Sequence, residues 1–438
     1  MGVAGTGGPS QRRRRLGLHL FWYVLETGIN MGVMPIVFLP ACLFMLGAEG
    51  YGQFLFALGV VNLVGLAPVQ GLTNALLRNM ASLTDDRRSL LLRTAFVMAS
   101  IAVGILLVCG LVACAGSTMF GGGEPSTVKW IALLAVAFAA RNILTVGSVD
   151  FAIDRRFAQR AVWRSLGSVM ALAAIPAWMF FGPVGFPLGY AAGHVVALLM
   201  LLAFRRHVLF GKPRYDRSLA AQATTSWLIL SLSTFFLTSG RYVHRTILGT
   251  VDSFDQVAVF GAAATALDLL VMPIATLGLF GFQLLAAHAS MERFSKRFLL
   301  RYSAAALAGT VGVYYVAGWL APWVARLLYA EVAEEAVEPI GIMTLGIAAT
   351  VLMHAARPFV QKFSSARTLL VIGVVSVVAH LGLGLVLIPT YGLTGAAWAY
   401  CSANVITSLV WFSCFVAGPA RRSPGSAAGT SIDGFSAG

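Results

Sequence analysis

Long apolar segments recur along this chain, and they restrict the possible fold more than any other feature of the sequence. Each covers roughly 17–29 residues, enough for a helix to cross about 30 Å of hydrocarbon. The chain is 58% apolar and only 11% charged, whereas a soluble domain carries about 25% charged residues. Because lipid offers no hydrogen bonds to the backbone, these segments predict an all-α polytopic membrane protein.

We place twelve transmembrane helices in the sequence and number them spans 1 to 12. The predicted spans are 18–40, 54–77, 94–116, 128–149, 165–181, 186–204, 226–248, 257–285, 298–320, 339–356, 368–388 and 393–417.

The charged residues between the spans alternate in sign from one loop to the next. Most of the 31 lysines and arginines fall in alternate loops and in the termini; Arg12–Arg15, Arg160 and Arg164 are assigned to this set. The opposite loops hold Lys129 and Arg326 among a majority of acidic residues. By the positive-inside rule, both termini are predicted to be cytoplasmic. The net charge of +14 is therefore expected to meet anionic lipid headgroups, not nucleic acid.

Two distant landmarks indicate that the chain contains an internal duplication. Segment 181–190 (FGPVGFPLGY) matches segment 391–400 (YGLTGAAWAY) in its first two glycines and final tyrosine, at an offset of 210 residues. Tyr51 and Phe260 each open a helix after an outward turn, at an offset of 209. Since each half holds six spans, both halves start on the same side of the membrane. We expect two six-helix lobes related by a pseudo-two-fold axis along the membrane normal.

The duplication and the composition define the predicted domain organisation. It consists of a disordered basic cytoplasmic tail at 1–17, an N-terminal six-helix lobe at 18–204, a cytoplasmic connector at 205–222, a C-terminal six-helix lobe at 223–417 and a disordered cytoplasmic tail at 418–438.

Three stretches of the sequence resemble Wzx-type polysaccharide (O-antigen) flippases. They are LGAEGYGQFLFALGVVNLVGLAPVQGLTNALLRNMA (46–81), RTILGTVDSFDQVAVFGAAATALDLL (245–270) and YGLTGAAWAY (391–400). The resemblance implies the multidrug/oligosaccharidyl-lipid/polysaccharide exporter superfamily, whose two lobes surround a cavity that opens alternately to each face. It further implies transport of undecaprenyl-pyrophosphate-linked oligosaccharide across a bacterial inner membrane. The family often carries an aspartate where this chain has His244.

Arg241, His244 and Arg245 lie close together in span 7 and form the main candidate substrate site. The two arginines are four residues apart and share one helical face. Arginine donates bidentate hydrogen bonds to phosphate oxygens, so the group is expected to attract the lipid pyrophosphate or acidic sugars. Alternatively, the side chain of Arg245 reaches back to the outer membrane interface.

Glu26 in span 1 and Arg141 in span 4 are predicted to lie at a similar depth in the first lobe. One interpretation is a mutual structural ion pair, since buried charges need partners. The other is functional: Arg141 binds substrate, and Glu26 serves as a gate or as a carboxylate that exchanges protons when the pair opens.

Asp268 lies near the middle of span 8, where an unpaired carboxylate could bind and release a proton. Pairing with Arg241 or Arg245 is an equally supported alternative. His194, His288, His354 and His380 are scattered over different spans and are interpreted as packed or interfacial residues, and the five cysteines are interpreted as packing residues. We expect no cofactor, no metal site and no enzymatic activity.

The sequence leaves several functions open beside the flippase. A cation-coupled multidrug exporter of the same superfamily would be expected to have an acidic cavity, and the intramembrane charges here lean basic. A membrane glycosyltransferase or polymerase would be expected to carry a long polar outer loop, and the longest here, about 321–338, is short. A structural scaffold is the third alternative. For the flippase, the expected partners are the lipid-linked oligosaccharide, membrane lipids and a polysaccharide polymerase.

Overall fold

The computed structural model describes residues 9–65, 71–73, 75–77, 80, 83–119, 125–154, 156–210, 227, 231–232, 235, 240, 242–286 and 296–417. The helices are Pro9–Gly32, Val33–Phe38 (π-helical), Leu39–Gly65, Asp85–Met119, Pro125–Gly147, Asp150–Ile153, Phe157–Met170, Ala174–Phe181, Gly185–Leu209, Phe254–Ala286, Lys296–Leu328, Ala333–Phe363 and Ala366–Ala417, with 3-10 turns at Ala171–Ala173, Gly182–Val184 and Ala330–Val332. Residues 242–251 are also helical, and the described part of the chain contains no strand.

Eight helical segments among the described residues are long and apolar enough to cross a membrane. Three of them are 47, 53 and 51 residues long, about twice the length that one crossing needs. Each of these three reverses at a glycine with positive φ: Gly47 (71°), Gly182 (61°) and Gly392 (54°). Only glycine adopts this conformation without a steric cost. The eight segments therefore account for spans 1–6 and 8–12, and the helix at 242–251 ends predicted span 7. The all-α, twelve-span fold class is confirmed.

The structure repeats the same local geometry in both lobes at the offset found in the sequence. Gly182 and Gly392, 210 residues apart, hold the two matching turns. Three residues further on, a Cβ at Gly185 would overlap the carbonyl oxygen of Ala177, and a Cβ at Gly395 would overlap that of Leu387. These pairs too are related by 210 residues. The last two spans of each lobe therefore approach each other in the same way.

Side chains of the two lobes also follow the repeat. The His194 ring nitrogen Nδ1 lies 3.0 Å from the carbonyl oxygen of Tyr190. At the corresponding place in the second lobe, Asn404 Nδ2 donates to the carbonyl oxygen of Tyr400 at 2.9 Å. Each tyrosine is almost fully buried. The duplicated sequence thus folds into two similar helical bundles.

The lobes meet at the end of the molecule that holds Gly47 and the turn at 251–254, called here the Gly47 end. A Cβ at Gly52 in the helix Leu39–Gly65 would overlap the backbone of Phe254, so these two chain segments are in direct contact. The ring of Tyr51 stacks on that of Tyr329, with centroids 6.1 Å apart. Tyr329 in turn donates its hydroxyl hydrogen to the carbonyl of Pro35 at 2.6 Å. These contacts close the seam between the lobes at this end.

A second set of contacts joins the lobes at the opposite end, called the Phe157 end. Tyr23 and Phe157 of the first lobe pack on Phe280 of the second, with centroids 5.2 and 6.1 Å from the Phe280 ring. Ala75 of span 2 also belongs to the same buried cluster as Val360 of the helix Ala333–Phe363. The described structure therefore has contacts between the lobes at both ends.

Two predicted boundaries are corrected by the structure. The first helix begins at Pro9, so residues 9–17 are helical and not disordered, while 1–8 lie outside the described residues. Proline is well tolerated in the first turn of a helix, and the arginines at 12–15 are good helix formers. The fifth crossing begins at Phe157 instead of 165, because basic residues do not interrupt a helix. The tail at 418–438 and most of the connector also lie outside the described residues.

We predict that Gly395→Ala lowers the stability of the protein by about 1–3 kcal/mol, because the added methyl overlaps the carbonyl of Leu387. Gly382→Ala is the matched control, since a Cβ there has open space around it. Thermal unfolding of the purified variants in detergent measures the difference. Equal melting temperatures for the two variants would contradict the close approach of spans 11 and 12.

Candidate functional site

Glu26 lies at the centre of a buried charge cluster in the first lobe. Its Oε1 atom accepts a hydrogen bond from Arg164 at 2.8 Å and lies 3.2 Å from Arg160. The glutamate is 1% exposed. The prediction that Glu26 pairs with Arg141 is therefore wrong. Both actual partners had been assigned to a loop, although their spacing of four places them on one helical face.

One helical turn after Glu26 and Arg164, a pair of uncharged side chains joins the same two helices. Ser168 donates to Asn30 Oδ1 at 2.8 Å, and Asn30 donates to the carbonyl of Glu26 at 2.8 Å. Glu26 and Asn30 are four residues apart, as are Arg164 and Ser168. Spans 1 and 5 are therefore held in register by a polar ladder inside the lobe.

Arg141 lies on the helix Pro125–Gly147 and is exposed. Its guanidinium carbon is 5.8 Å from the centroid of the Phe138 ring, a cation–π distance. It lines a pocket of the first lobe together with Arg164, Ser168 and His194. Among the described residues, Arg141 has no carboxylate partner within ion-pair distance. The structure thus places Arg141 beside the Glu26 cluster, but not within it.

The second lobe contains a buried histidine pair. His244 Nε2 and His380 Nδ1 are 2.9 Å apart, and the two residues are 0% and 3% exposed. Phe260 and Tyr400 lie around the His244 ring at centroid distances of 6.3 and 5.9 Å. The His244 Nδ1 atom has no hydrogen-bond partner. His244 therefore lies inside the lobe against His380, and not on a shared substrate-binding face with Arg245.

Glycines make room for this pair. A Cβ at Gly240 would overlap the ring of His380, and a Cβ at Gly384 would lie 3.3 Å from His244 Nδ1. The sequence alone did not reveal the pairing, because His244 and His380 are 136 residues apart. The only sign of the pairing in the sequence is the position of two glycines: Gly240 lies four residues before His244, and Gly384 lies four residues after His380.

Arg245 lies in the seam between the lobes at the Gly47 end. It is buried, with 9% of its surface exposed. A Cβ at Gly59 of span 2 would lie 3.9 Å from the Cβ of Arg245. Its Nε atom is buried without a hydrogen-bond partner. Arg241, the other predicted arginine of this group, lies outside the described residues.

Asp268 is half-buried in the helix Phe254–Ala286. No ion pair joins it to Arg245 among the described residues, and Arg241, the other predicted partner, lies outside them. Of the described residues, no three histidine, cysteine, aspartate or glutamate side chains converge in a way that could hold a metal ion.

A further ion pair, between Arg205 and Asp150, fixes the Phe157 end of the first lobe. Arg205 binds Asp150 through two parallel hydrogen bonds of 2.8 and 2.5 Å. Its guanidinium carbon lies 4.5 Å from the ring centroid of Phe151. With 6% exposure, Arg205 ties span 6 to the segment after span 4.

We predict that Glu26→Gln destabilises the protein by about 3–5 kcal/mol, because it leaves Arg160 and Arg164 without their buried counter-ion. The control is Glu334→Gln, which removes a carboxylate from an exposed pair with Arg326 and is expected to leave the melting temperature unchanged. Thermal unfolding or the yield of folded protein measures the effect. Wild-type stability of Glu26→Gln would contradict the role given to this cluster.

Comparisons with known proteins identify the fold. No family model and no curated protein matches the chain. Among solved structures, an outward-facing multidrug resistance MATE family transporter of the MOP superfamily is 17% identical, with 91% of this chain and 94% of that chain covered and a TM-score of 0.68. A mutant of the Vibrio cholerae MATE transporter VcmN is 11% identical, with 93% and 97% covered and a TM-score of 0.69.

A third similar structure is a MOP superfamily transporter from Pyrococcus furiosus, described as having a binding pocket of reversed polarity that suggests a different function. It is 16% identical, covers 91% of this chain and 94% of its own, and has a TM-score of 0.67. At these identities the similarity shows the fold and does not address the flippase family that the sequence resembles. The chain has the two-lobed fold of the MATE transporters of the MOP superfamily.

Proposed function

We propose that this protein is a membrane transporter in which the two lobes open alternately at the Gly47 end and at the Phe157 end. The proposal is supported by the fold, which it shares with transporters of the MOP superfamily. It is also supported by the two separate sets of contacts between lobes, one at Tyr51 and Tyr329 and one at Tyr23 and Phe280. Breaking one set while keeping the other would open the interior to one side only.

For the substrate, we propose an anionic, lipid-linked oligosaccharide moved from the cytoplasmic to the periplasmic leaflet. The observation that carries this choice is the sign of the interior charge. Arg141, Arg160 and Arg164 accompany one carboxylate, Glu26, in the first lobe. Arg245 adds a buried cation with an unpartnered Nε at the seam. Guanidinium groups suit the oxygens of a pyrophosphate or an acidic sugar.

A cation-coupled multidrug exporter is the second candidate, and the comparisons favour it. Of the three similar solved structures described above, one is named as a multidrug resistance transporter and none is named as a polysaccharide flippase. Asp268 also fits this candidate, because a single half-buried carboxylate can bind a proton or a cationic drug. The two candidates differ in the charge of the molecule that is moved. Inner-membrane location, cytoplasmic termini and a polymerase partner remain predictions.

A reconstitution experiment separates the two candidates. Proteoliposomes containing the full chain are given either a fluorescent polyprenyl-pyrophosphate oligosaccharide or the cationic dye ethidium. We expect protein-dependent movement of the anionic lipid between leaflets, measured by the fraction of label that dithionite can reach. Because each arginine is expected to contact the anionic group, Arg241→Ala and Arg245→Ala should each slow this movement about tenfold or more.

The exposed Arg326→Ala variant is the matched control and should retain the wild-type rate, since Arg326 pairs with Glu334 at the surface. Transport of ethidium without movement of the anionic lipid would replace the proposed substrate by the second candidate. Full lipid movement in both the Arg241 and the Arg245 variants would contradict the role of these arginines.

A further inference from the structure

The helix Lys296–Leu328 is the least buried of the eight described segments that could cross a membrane. Only 17% of its apolar window is buried, against 29–67% for the other seven. It packs on the helices Phe254–Ala286 and Ala333–Phe363 of its own lobe, so its remaining surface faces away from the seam between the lobes. Because Tyr329, just after its last residue, lies at the Gly47 end, the helix begins at the Phe157 end.

Two arginines lie on one face of this helix in its first two turns. Arg297 and Arg301 are four residues apart, and both are exposed. The ion pairs among the described residues include neither of them. Since the helix begins here, the two guanidinium groups lie at the depth of the lipid headgroups. Two positive charges therefore face the membrane surface together.

An aromatic wall beside the arginines forms one side of a recess. The rings of Phe298 and Tyr302 stack with centroids 5.6 Å apart, and both pack on Phe359 of the neighbouring helix. The Tyr302 hydroxyl donates to the carbonyl oxygen of Ala355 at 3.0 Å, which holds the wall in place. The recess, of about 550 Å³, is lined by Arg297, Phe298, Arg301, Tyr302 and Ala305. A water molecule takes up about 30 Å³, so a group of many atoms fits beside the arginines.

The face that carries the arginines continues as a strip of small residues. Ala308 and Gly312 follow Arg301 at helical spacing and are exposed, and a Cβ at Gly312 would meet no atom within 4 Å. Leu300 and Val311, 73% and 56% exposed, border the strip. From Arg301 to Gly312 the helix rises about 16 Å, half of the roughly 30 Å of hydrocarbon. The strip therefore runs from the headgroups to the middle of the bilayer.

Two occupants suit a strip of small residues in a membrane: an acyl chain, or the same strip of a second copy of this chain. The arginines distinguish between them. In a symmetric dimer joined along this strip, Arg297 and Arg301 would face their own counterparts, and like charges repel each other. A negatively charged headgroup instead brings phosphate oxygens to the arginines, which donate to them in pairs. The charge therefore favours a lipid.

We propose that this surface binds one anionic phospholipid of the leaflet at the Phe157 end. The surface is called here the arginine groove, and it consists of Arg297, Phe298, Arg301, Tyr302, Ala305, Ala308 and Gly312. The headgroup phosphate occupies the recess beside the two arginines, and an acyl chain lies along the small residues. Basic pockets at the end of membrane helices are suited to such headgroups. The groove lies on the outside of the second lobe, so its occupant is distinct from a transported molecule between the lobes.

Native mass spectrometry of the purified full-length protein tests the proposal. Dioleoylphosphatidylglycerol is the anionic probe, and dioleoylphosphatidylcholine has the same chains without a net charge. We expect one saturable site that prefers the anionic lipid. Arg297→Gln and Arg301→Gln should each weaken its binding about fivefold. Both variants should fold, because the two arginines are exposed and the ion pairs of the described residues do not include them.

Arg87→Gln is the matched control, since it removes an exposed arginine from the first turn of another membrane helix. Its affinity for the anionic lipid should equal that of the wild type. Ala305→Phe fills the recess without changing the charge, and it should weaken binding as the arginine variants do. Unchanged binding in Arg297→Gln and Arg301→Gln, or an equal loss in Arg87→Gln, would overturn the proposal.

Two further outcomes would assign the groove to another occupant. If inorganic pyrophosphate displaces the lipid at equal concentration, the recess takes a phosphate group without its chains and the proposed phospholipid is wrong. If the protein is a dimer that Gly312→Leu dissociates while both lipids bind equally, the strip belongs to a second copy. Lipid binding is measured without transport, so this proposal and the proposed function can fail separately.

Discussion

A charge inside a membrane protein must be paired within the protein, and this constraint organises the first lobe. Glu26 satisfies it by lying between Arg160 and Arg164 of the fifth crossing. Replacing bulk water by a low-dielectric interior strengthens this attraction and also makes an unpaired member costly. The pair fixes the first helix against the fifth, and Asn30 and Ser168 continue the same register. These contacts between the first and fifth helices form the polar interior of the lobe.

Close backbone contact is the second requirement, and glycine meets it at matching places in both lobes. Without a hydrophobic driving force between helices in lipid, packing depends on how closely their backbones approach. Gly185 and Gly395 permit such an approach to the preceding span, and Gly182 and Gly392 permit the turns between them. Each lobe can therefore move as a packed unit. The contacts at Tyr51 and at Phe280 then join two units rather than one continuous bundle.

The sequence predicted those features that depend on neighbouring residues. Apolar length indicated the spans, and the spacing of glycine and tyrosine indicated the duplication. The assignment of Arg160 and Arg164 to a loop was wrong, because basic residues occur in helices as readily as in loops. Their position depends on the residues that pack against them. The partner of Glu26 and the pairing of His244 with His380 depend on contacts between distant segments. Neither pairing has a periodic signal in a single sequence.

The central claim is that the two lobes open at one end at a time, and distances between paired spin labels test it most directly. With the native cysteines replaced, labels at the exposed positions Lys129 and Glu335 report on the Gly47 end, and labels at Arg206 and Arg367 report on the Phe157 end. Double electron–electron resonance in proteoliposomes then measures both distances with and without substrate. We predict that one distance lengthens when the other shortens. Distances that stay constant, or that lengthen together, would contradict alternating access.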